Sequence, residues 1–329
     1  MVRNRVFRCR PIDGLRRWLL VGLACSTSVF AQEYPTRPIQ LVIPFSAGGS
    51  TDIVARHLAT GLTEALKQQV IAVNQPGAAG NIAADAVVHA PPDGYTLLWG
   101  ASVIATNVAF GPAPPFDPST ALTPIALVAK APFLVAVNPK LGIRTMKDLV
   151  DAATATPGKY TIGAAQLDSY VGQFGAQSGI RLVFVPYKGG AQSTADAVAG
   201  HLDMAYSQAA LLLPFIQSGK LHAIGVSSEK RLDVLPDVPT FVESGVSKHV
   251  TTYWYAVFAP AHTPAPIVEK LSREIRKLAA GPMGRKLAEL GIEPASSTPQ
   301  ELAELLRAET AYWVDVAKSG KILPGAAAK

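Results

Sequence analysis

The strongest constraint on this chain is the alternation of short apolar runs with helical periodicities along its length. Residues 39–45 (IQLVIPF) are apolar apart from Gln40, with the length and β-branched content of a buried strand. Residues 51–67 then space Val54, Leu58, Leu62 and Leu66 along one helix face. Residues 70–74 predict a second strand, 81–90 a second helix, and 95–100 (YTLLWG) a third strand. Such alternation implies a mostly parallel sheet with helices on both faces, because parallel neighbours need a crossover and the crossover is a helix.

The pattern then restarts. Residues 124–137 hold two apolar runs broken by Lys130-Ala131-Pro132. Residues 145–154 predict a helix opened by a capping box from Thr145 to Asp148. Strands are expected at 160–164, 182–187, 204–207 and 223–227, with helices near 169–178, 192–201 and 209–218. This is a second α/β unit of similar size. Residues 253–259 (YWYAVFA) predict a further strand. Beyond it the chain reads as helical. Thr263-Pro264 caps a helix through Leu278, Gly281-Pro282 breaks it, and a short helix runs to Leu290. Thr298-Pro299-Gln300-Glu301 combines an N-cap, a proline at the first helical position and a capping box, and opens a last helix to about Lys318. The Gly-Ala tail is the only low-complexity stretch, and no repeat has solenoid spacing.

The first 31 residues read differently. They carry six arginines and one acid, Asp13, followed by a short apolar run from Trp18 to Ala24 and then Val29-Phe30-Ala31. This is the pattern of a secretory signal peptide cut after Ala31. The run is short for a bilayer span, and no later stretch reaches the roughly 18 apolar residues a membrane helix needs. Arg16-Arg17 leaves twin-arginine export open. Cys25 has Gly22 where a lipobox wants leucine, which argues against lipidation. Both cysteines, Cys9 and Cys25, lie in this leader, so the mature chain holds no disulfide and no thiol chemistry.

Charge follows the same division. The whole chain carries 30 basic and 24 acidic residues, a net of +6. Without the leader, 24 basic and 23 acidic residues remain, a net of +1. A near-neutral body argues against a nucleic-acid partner.

Catalytic signatures do not occur. There is no G-x-S-x-G, Walker A, G-x-G-x-x-G or H-E-x-x-H, and the six histidines never fall at metal-ligand spacing. No catalytic residue, metal or cofactor is expected. The informative feature is the loop after the first strand, Ser46-Ala47-Gly48-Gly49-Ser50-Thr51-Asp52, which opens a helix. Its glycines let backbone N–H groups turn toward a ligand, and the helix N-terminus favours an anion. Ser50 and Thr51 can cap the helix or donate to a ligand. Taken alone, the same loop reads more often as an ordinary βα turn.

Further motifs set that loop in context. The segment Tyr34-Pro35-Thr36-Arg37-Pro38-Ile39, then Val42-Ile43-Pro44-Phe45-Ser46-Ala47-Gly48-Gly49 with Thr51-Asp52, resembles the opening of Bug-type proteins. These are the periplasmic solute-binding components of tripartite tricarboxylate transporters. Asn74-Gln75-Pro76-Gly77-Ala78-Ala79-Gly80-Asn81, Pro92-Asp93-Gly94-Tyr95-Thr96-Leu97-Leu98, Val185-Pro186-Tyr187-Lys188-Gly189, Leu235-Pro236-Asp237-Val238-Pro239-Thr240, and Ala259-Pro260 with Thr263-Pro264-Ala265-Pro266-Ile267-Val268 follow in order. Each is weak; their order and spacing carry the resemblance across almost the whole mature chain.

The resemblance implies an α/β, two-domain periplasmic-binding-protein fold with a ligand cleft between the lobes. The chain would cross between lobes twice, at 124–137 and 253–259. Domain 1 would comprise 32–131 and 254–329, and domain 2 residues 132–253. The implied function is periplasmic binding of a small organic carboxylate by a monomer that delivers it to membrane transporter subunits. The carboxylate would be gripped by residues 46–52 (Ser46, Ala47, Gly48, Gly49, Ser50, Thr51, Asp52), with a hydroxyl from Ser102. A β-branched replacement of Gly48 or Gly49 is expected to weaken binding sharply while the fold survives. The second grip would come from Ala164, Ala165, Gln166 and Ser169, with Lys188 adding positive potential and Ser207-Gln208 delivered toward the cleft by the strand at 204–206.

Two departures bear on the ligand. The second loop, Gly163-Ala164-Ala165-Gln166-Leu167-Asp168-Ser169-Tyr170, is about two residues shorter than loops of this type, and Leu167 and Tyr170 make it more apolar. Asp168 reads as a solvated helix cap. Relatives often carry aspartate where this chain has Ser207, so an ammonium group would be poorly compensated here. An aliphatic or aromatic carboxylate is therefore expected. A periplasmic sensing subunit, or an enzyme using the same cleft, remains open on sequence alone.

Overall fold

The computed structural model describes residues 1, 34–165, 168–246, 250, 252–320 and 322. The leader with its cleavage point after Ala31, the candidate Gln166 with Leu167, and the Gly-Ala tail lie outside the described residues.

In chain order the elements are β1 (Ile39–Ile43), α1 (Ser50–Leu66), β2 (Val70–Asn74), α2 (Asn81–Val88), β3 (Thr96–Ala101), α3 (Val103–Thr106), α4 (Pro118–Ala121) and β4 (Leu122–Val137). Then come α5 (Met146–Ala155), β5 (Thr161–Ala165), α6 (Asp168–Ser178), β6 (Val183–Tyr187), α7 (Gly190–Ala199), β7 (Met204–Gln208), α8 (Ala209–Gln217) and β8 (His222–Val226). The last are β9 (Thr252–Pro260), α9 (Ala265–Ala280), α10 (Pro282–Glu289), β10 (Glu293–Pro294) and α11 (Pro299–Lys318). The capping boxes at Thr145 and Thr298 form as the sequence predicts. Thr263 does not cap α9. Its hydroxyl donates to the Pro260 carbonyl, 2.8 Å, and Pro264, with no side-chain acceptor, takes the N-cap position.

The strands run in the order β2-β1-β3-β9-β4-β7-β5-β6, with β8 and β10 also on β4. The pairs β1–β2, β1–β3, β5–β6 and β5–β7 are parallel. The expected mostly parallel sheet is a mixed one, because β4 and β9 enter it antiparallel to each other and to their neighbours β3 and β7. The result is an α/β fold of two lobes with a curled sheet. Buried apolar faces hold the helices on it. In α1, Val54, Leu58, Leu62 and Leu66 are all buried, each worth about 1.5–3 kcal/mol relative to exposure.

Strand β4 is continuous where the sequence predicts two runs. From Leu122 to Pro132 it pairs with β9, and from Phe133 to Val137 it pairs with β7. The supposed breaker, Pro132, stands opposite Thr252 at the end of the first ladder. A proline lacks the N–H a ladder needs, so it is tolerated where one ladder hands over to the next. Phe133 resumes at once: its N–H donates to Ser227 Oγ, 2.8 Å, and its carbonyl accepts from Ser227 N–H, 2.9 Å. Around the handover lies an aromatic cluster. Phe133, itself fully buried, packs against Tyr206 at 4.8 Å, Tyr170 at 4.9 Å and Tyr253 at 5.9 Å between ring centroids.

Helix α11 brings the Glu309 carboxyl to this region. Trp254 Nε1 donates to Glu309, 2.7 Å. Burial pushes the Glu309 carboxyl up to about 7, against the opposing pull of the Trp254 bond and Lys130. A folded value above the unfolded one, roughly 4.3, means the folded protein holds the extra proton. That stabilisation is complete below about pH 4 and is lost as pH rises through about 7. The melting temperature is expected to fall between pH 5.5 and 8, and Glu309→Gln should flatten the fall. An unchanged slope in the variant would remove Glu309 as its cause.

Candidate functional site

A cavity of about 160 Å³ opens where the ends of β1, β5, β6 and β7 converge. Drug-sized pockets start near 300 Å³, so this volume suits a small metabolite. One wall is residues 45–51, the loop after β1 and the start of α1. The facing wall is Lys188, Gly189, Gly190 and Ala191, the loop after β6 and the start of α7. Ala165, Ser207, Gln208, Leu211 and Tyr253 complete the lining.

Three helix N-termini therefore meet at one cavity. The N-cap residues are Gly49 for α1, Gly189 for α7 and Gln208 for α8, and none of the three helices is capped by a side chain. In α1 the first intrahelical bond is from Ile53 N–H to the Gly49 carbonyl, which leaves the N–H groups of Ser50, Thr51 and Asp52 ahead of it. In α7 the first runs from Gln192 to Gly189, leaving Gly190 and Ala191 ahead. Each N-terminus carries roughly half a positive charge, and unpaired donors there are the standard partners of an anion. Among the described residues Lys188 is the only charged side chain in the lining, and no carboxylate faces in.

The candidates from sequence divide cleanly. Ser46, Ala47, Gly48, Gly49, Ser50, Thr51, Ala165, Lys188 and Ser207 line the cavity. Asp52 does not. Its carboxylate is buried and accepts from Gly48 N–H at 3.1 Å, Arg56 Nε at 2.9 Å and Asn74 Nδ2 at 2.9 Å. Burial alone would raise this carboxyl, but the bonds from Arg56, Asn74 and Gly48 outweigh it and hold it below its usual value. Asp52 thus braces the loop from behind. Ser102 is fully buried and bonded to the Tyr170 hydroxyl, 2.7 Å. Ala164 and Ser169 are buried as well, outside the lining. Asp168 is exposed at the start of α6 and lines a different cavity, beside Val171 and Arg181.

Gln208, brought toward the cleft with Ser207 by the resemblance, lines the cavity too, and the residues the sequence reading missed are Phe45, Gly189, Gly190, Ala191, Leu211 and Tyr253. One signal could have found part of this set. Lys188-Gly189-Gly190 stands between a strand and a helix as Ala47-Gly48-Gly49 does. Tyr253 and Leu211 arrive through tertiary packing and carry no local signature.

The two glycines of the first loop differ. Gly48 has φ +85°, a left-handed conformation, with open space where a Cβ would stand. Gly49 has φ −80° and ψ 167°, which any residue adopts, so the strain expected from sequence at both positions applies only to Gly48. Gly48→Ala is expected to lower stability by about 1–2 kcal/mol, and Gly49→Ala by clearly less. Equal melting temperatures for the two variants would contradict this assignment.

Comparison with known proteins places these features. The family of tripartite tricarboxylate transporter family receptors matches residues 54–322. Protein BugT of Bordetella pertussis is 32% identical over 304 residues, covering 90% of this chain and 93% of BugT. Among solved structures, R. palustris Rpa4515 with adipate superposes with a TM-score of 0.83 at 33% identity, covering 88% of this chain and 99% of that one. MatC (Rpa3494) from Rhodopseudomonas palustris with bound malate gives a TM-score of 0.77 at 29% identity, covering 86% and 100%.

Proposed function

The chain belongs to the tripartite tricarboxylate transporter receptor family, and from that premise we propose that its cavity binds a small organic carboxylate lacking an ammonium group. The convergence of the three uncapped N-termini beside Lys188, with no carboxylate among the described residues of the lining, carries this reading. Preorganised backbone donors stabilise a carboxylate without reorganising, and a single lysine adds positive potential. Relatives of this fold hold adipate and malate, both carboxylates without an ammonium group.

On this reading the protein is a periplasmic binding protein. Residues 1–31 are its signal peptide, and the mature chain begins at Gln32. Residues 32–131 with 254–329 form one lobe and 132–253 the other. The lobes close over the ligand, and the closed form is what the membrane subunits of a tripartite tricarboxylate-type transporter recognise. The protein catalyses no reaction. A carrier of this kind works with a micromolar dissociation constant, about −8 kcal/mol.

A thermal-shift panel of mono-, di-, tri- and aromatic carboxylates tests the reading. At 100 times its dissociation constant, a true ligand stabilises the folded protein by about 2.7 kcal/mol. At least one acid should raise the melting temperature accordingly. A panel in which no acid does so would overturn the proposal.

A further inference from the structure

We propose that Gln208 selects the ligand's polarity, because a hydrogen-bond relay from Tyr255 through Ser50 fixes its amide with Nε2 facing the cavity. This inference rests on the carboxylate-binding reading and adds a residue that enforces it. The relay joins the two walls of the site. Tyr255 OH lies 3.1 Å from Ser50 Oγ, and Ser50 Oγ donates to Gln208 Oε1 at 3.0 Å. All three residues are buried. Ser50 comes from α1, Gln208 from the end of β7, and Tyr255 from β9.

The direction of the relay follows from the Ser50–Gln208 bond, because a hydroxyl that gives its one proton to Gln208 Oε1 can only accept from Tyr255. The Tyr255 ring stacks on Trp99 at 5.5 Å, which locks its hydroxyl in place. Burial pushes that hydroxyl up to about 12, against the opposing pull of its bonds to Ser50 and Thr51, so it keeps its proton and is free to donate. Donating to Ser50 leaves Ser50 with one proton to give. That proton goes to Gln208 Oε1. Ser207 Oγ approaches the same oxygen at 3.5 Å. With Oε1 occupied, Nε2 presents two N–H donors, and it has no hydrogen-bond partner among the described residues. Gln208 lines the cavity, so a bound ligand is what satisfies this group.

An amide held this way accepts nothing. A carboxylate, carbonyl or hydroxyl oxygen of the ligand completes it, while an ammonium group would meet donors with donors. Tyr255 lies outside the cavity lining. It acts as a positioning residue, and its loss should free the amide to rotate and offer Oε1 instead.

Calorimetric titration tests this with matched probes: succinate, glutarate and adipate against aspartate, glutamate and 2-aminoadipate. The readout is the ratio of affinities within the pair whose acid binds wild type most tightly. Gln208→Glu keeps the shape but replaces the donors with a charged acceptor. It is expected to shift that ratio toward the amino acid by roughly 100-fold. Tyr255→Phe should shift it the same way by roughly 5–10-fold, with the melting transition still cooperative. Should Gln208→Glu fail to fold, Tyr255→Phe and Ser50→Ala carry the test alone. Ratios within twofold of wild type in the folded variants overturn the relay while leaving the carboxylate reading intact. A wild-type protein that binds none of the acids overturns both.

Discussion

Phe133→Ala is expected to destabilise the protein by about 3–5 kcal/mol, the range for removing a buried aromatic ring. Phe133 is fully buried and occupies the point where β4 leaves β9 and joins β7. Its ring contacts Tyr206, Tyr170 and Tyr253, drawn from β7, α6 and β9, so a single cavity would loosen elements on both sides of the handover. Packing is what the variant loses. Its backbone bonds to Ser227 do not depend on the side chain. Total stabilities are about 5–15 kcal/mol, so the loss is a large fraction. Urea unfolding should show a clearly lower midpoint. A midpoint close to wild type would mean that the handover is not a centre of stability. Affinity should fall as well, because Tyr253 lines the cavity and leans on this ring.

Gly190→Val is expected to reduce ligand affinity by about 100-fold, equivalent to roughly 2.7 kcal/mol, with a much smaller effect on folding. A Cβ at Gly190 would stand 2.7 Å from Leu211 Cδ1 and 3.3 Å from Ser207 Oγ. Both neighbours line the cavity. The closer contact is the end of a partly buried, flexible side chain, which can move, and valine is a better helix former than glycine. The fold therefore tolerates the change. The cavity does not, because at about 160 Å³ it has little room for three added carbons and a displaced leucine. Calorimetry of the variant with the best wild-type acid checks this. Full affinity in a folded Gly190→Val protein would exclude the start of α7 from the site.

The fold was legible because its signals are local. Apolar runs gave the strands, four-residue spacing in α1 gave the buried face, and Thr145 and Thr298 marked two helix starts through capping boxes. The failures share a cause. Pro132 reads as a breaker in any local window, and only the exchange of partners from β9 to β7 makes it permissible. The direction of β4 and β9 is likewise set by their partners.

The candidate site was legible on one wall. Gly48 and Gly49 announce a helix N-terminus open to a ligand, and Gly189-Gly190 announce a second in the same terms. Side-chain direction within such a turn is not local information. Asp52 faces away because Arg56 and Asn74 claim its oxygens, and Asn74 comes from β2 on a neighbouring strand. Ser102 is taken by Tyr170, 68 positions further along the chain. The resemblance places Gln208 near the cleft with Ser207, but its bond to Ser50, 158 positions away, is one no spacing rule reaches.

Calorimetric titration of the wild-type protein with glutarate and glutamate, succinate and aspartate, and adipate and 2-aminoadipate tests the central claim most directly, because each pair differs by a single ammonium group. The account predicts a micromolar dissociation constant for at least one acid and roughly 100-fold weaker binding of its amino partner, the consequence of a donor-lined cavity with no carboxylate among its described residues. Tight binding of an amino acid with no response to its matched acid would contradict it.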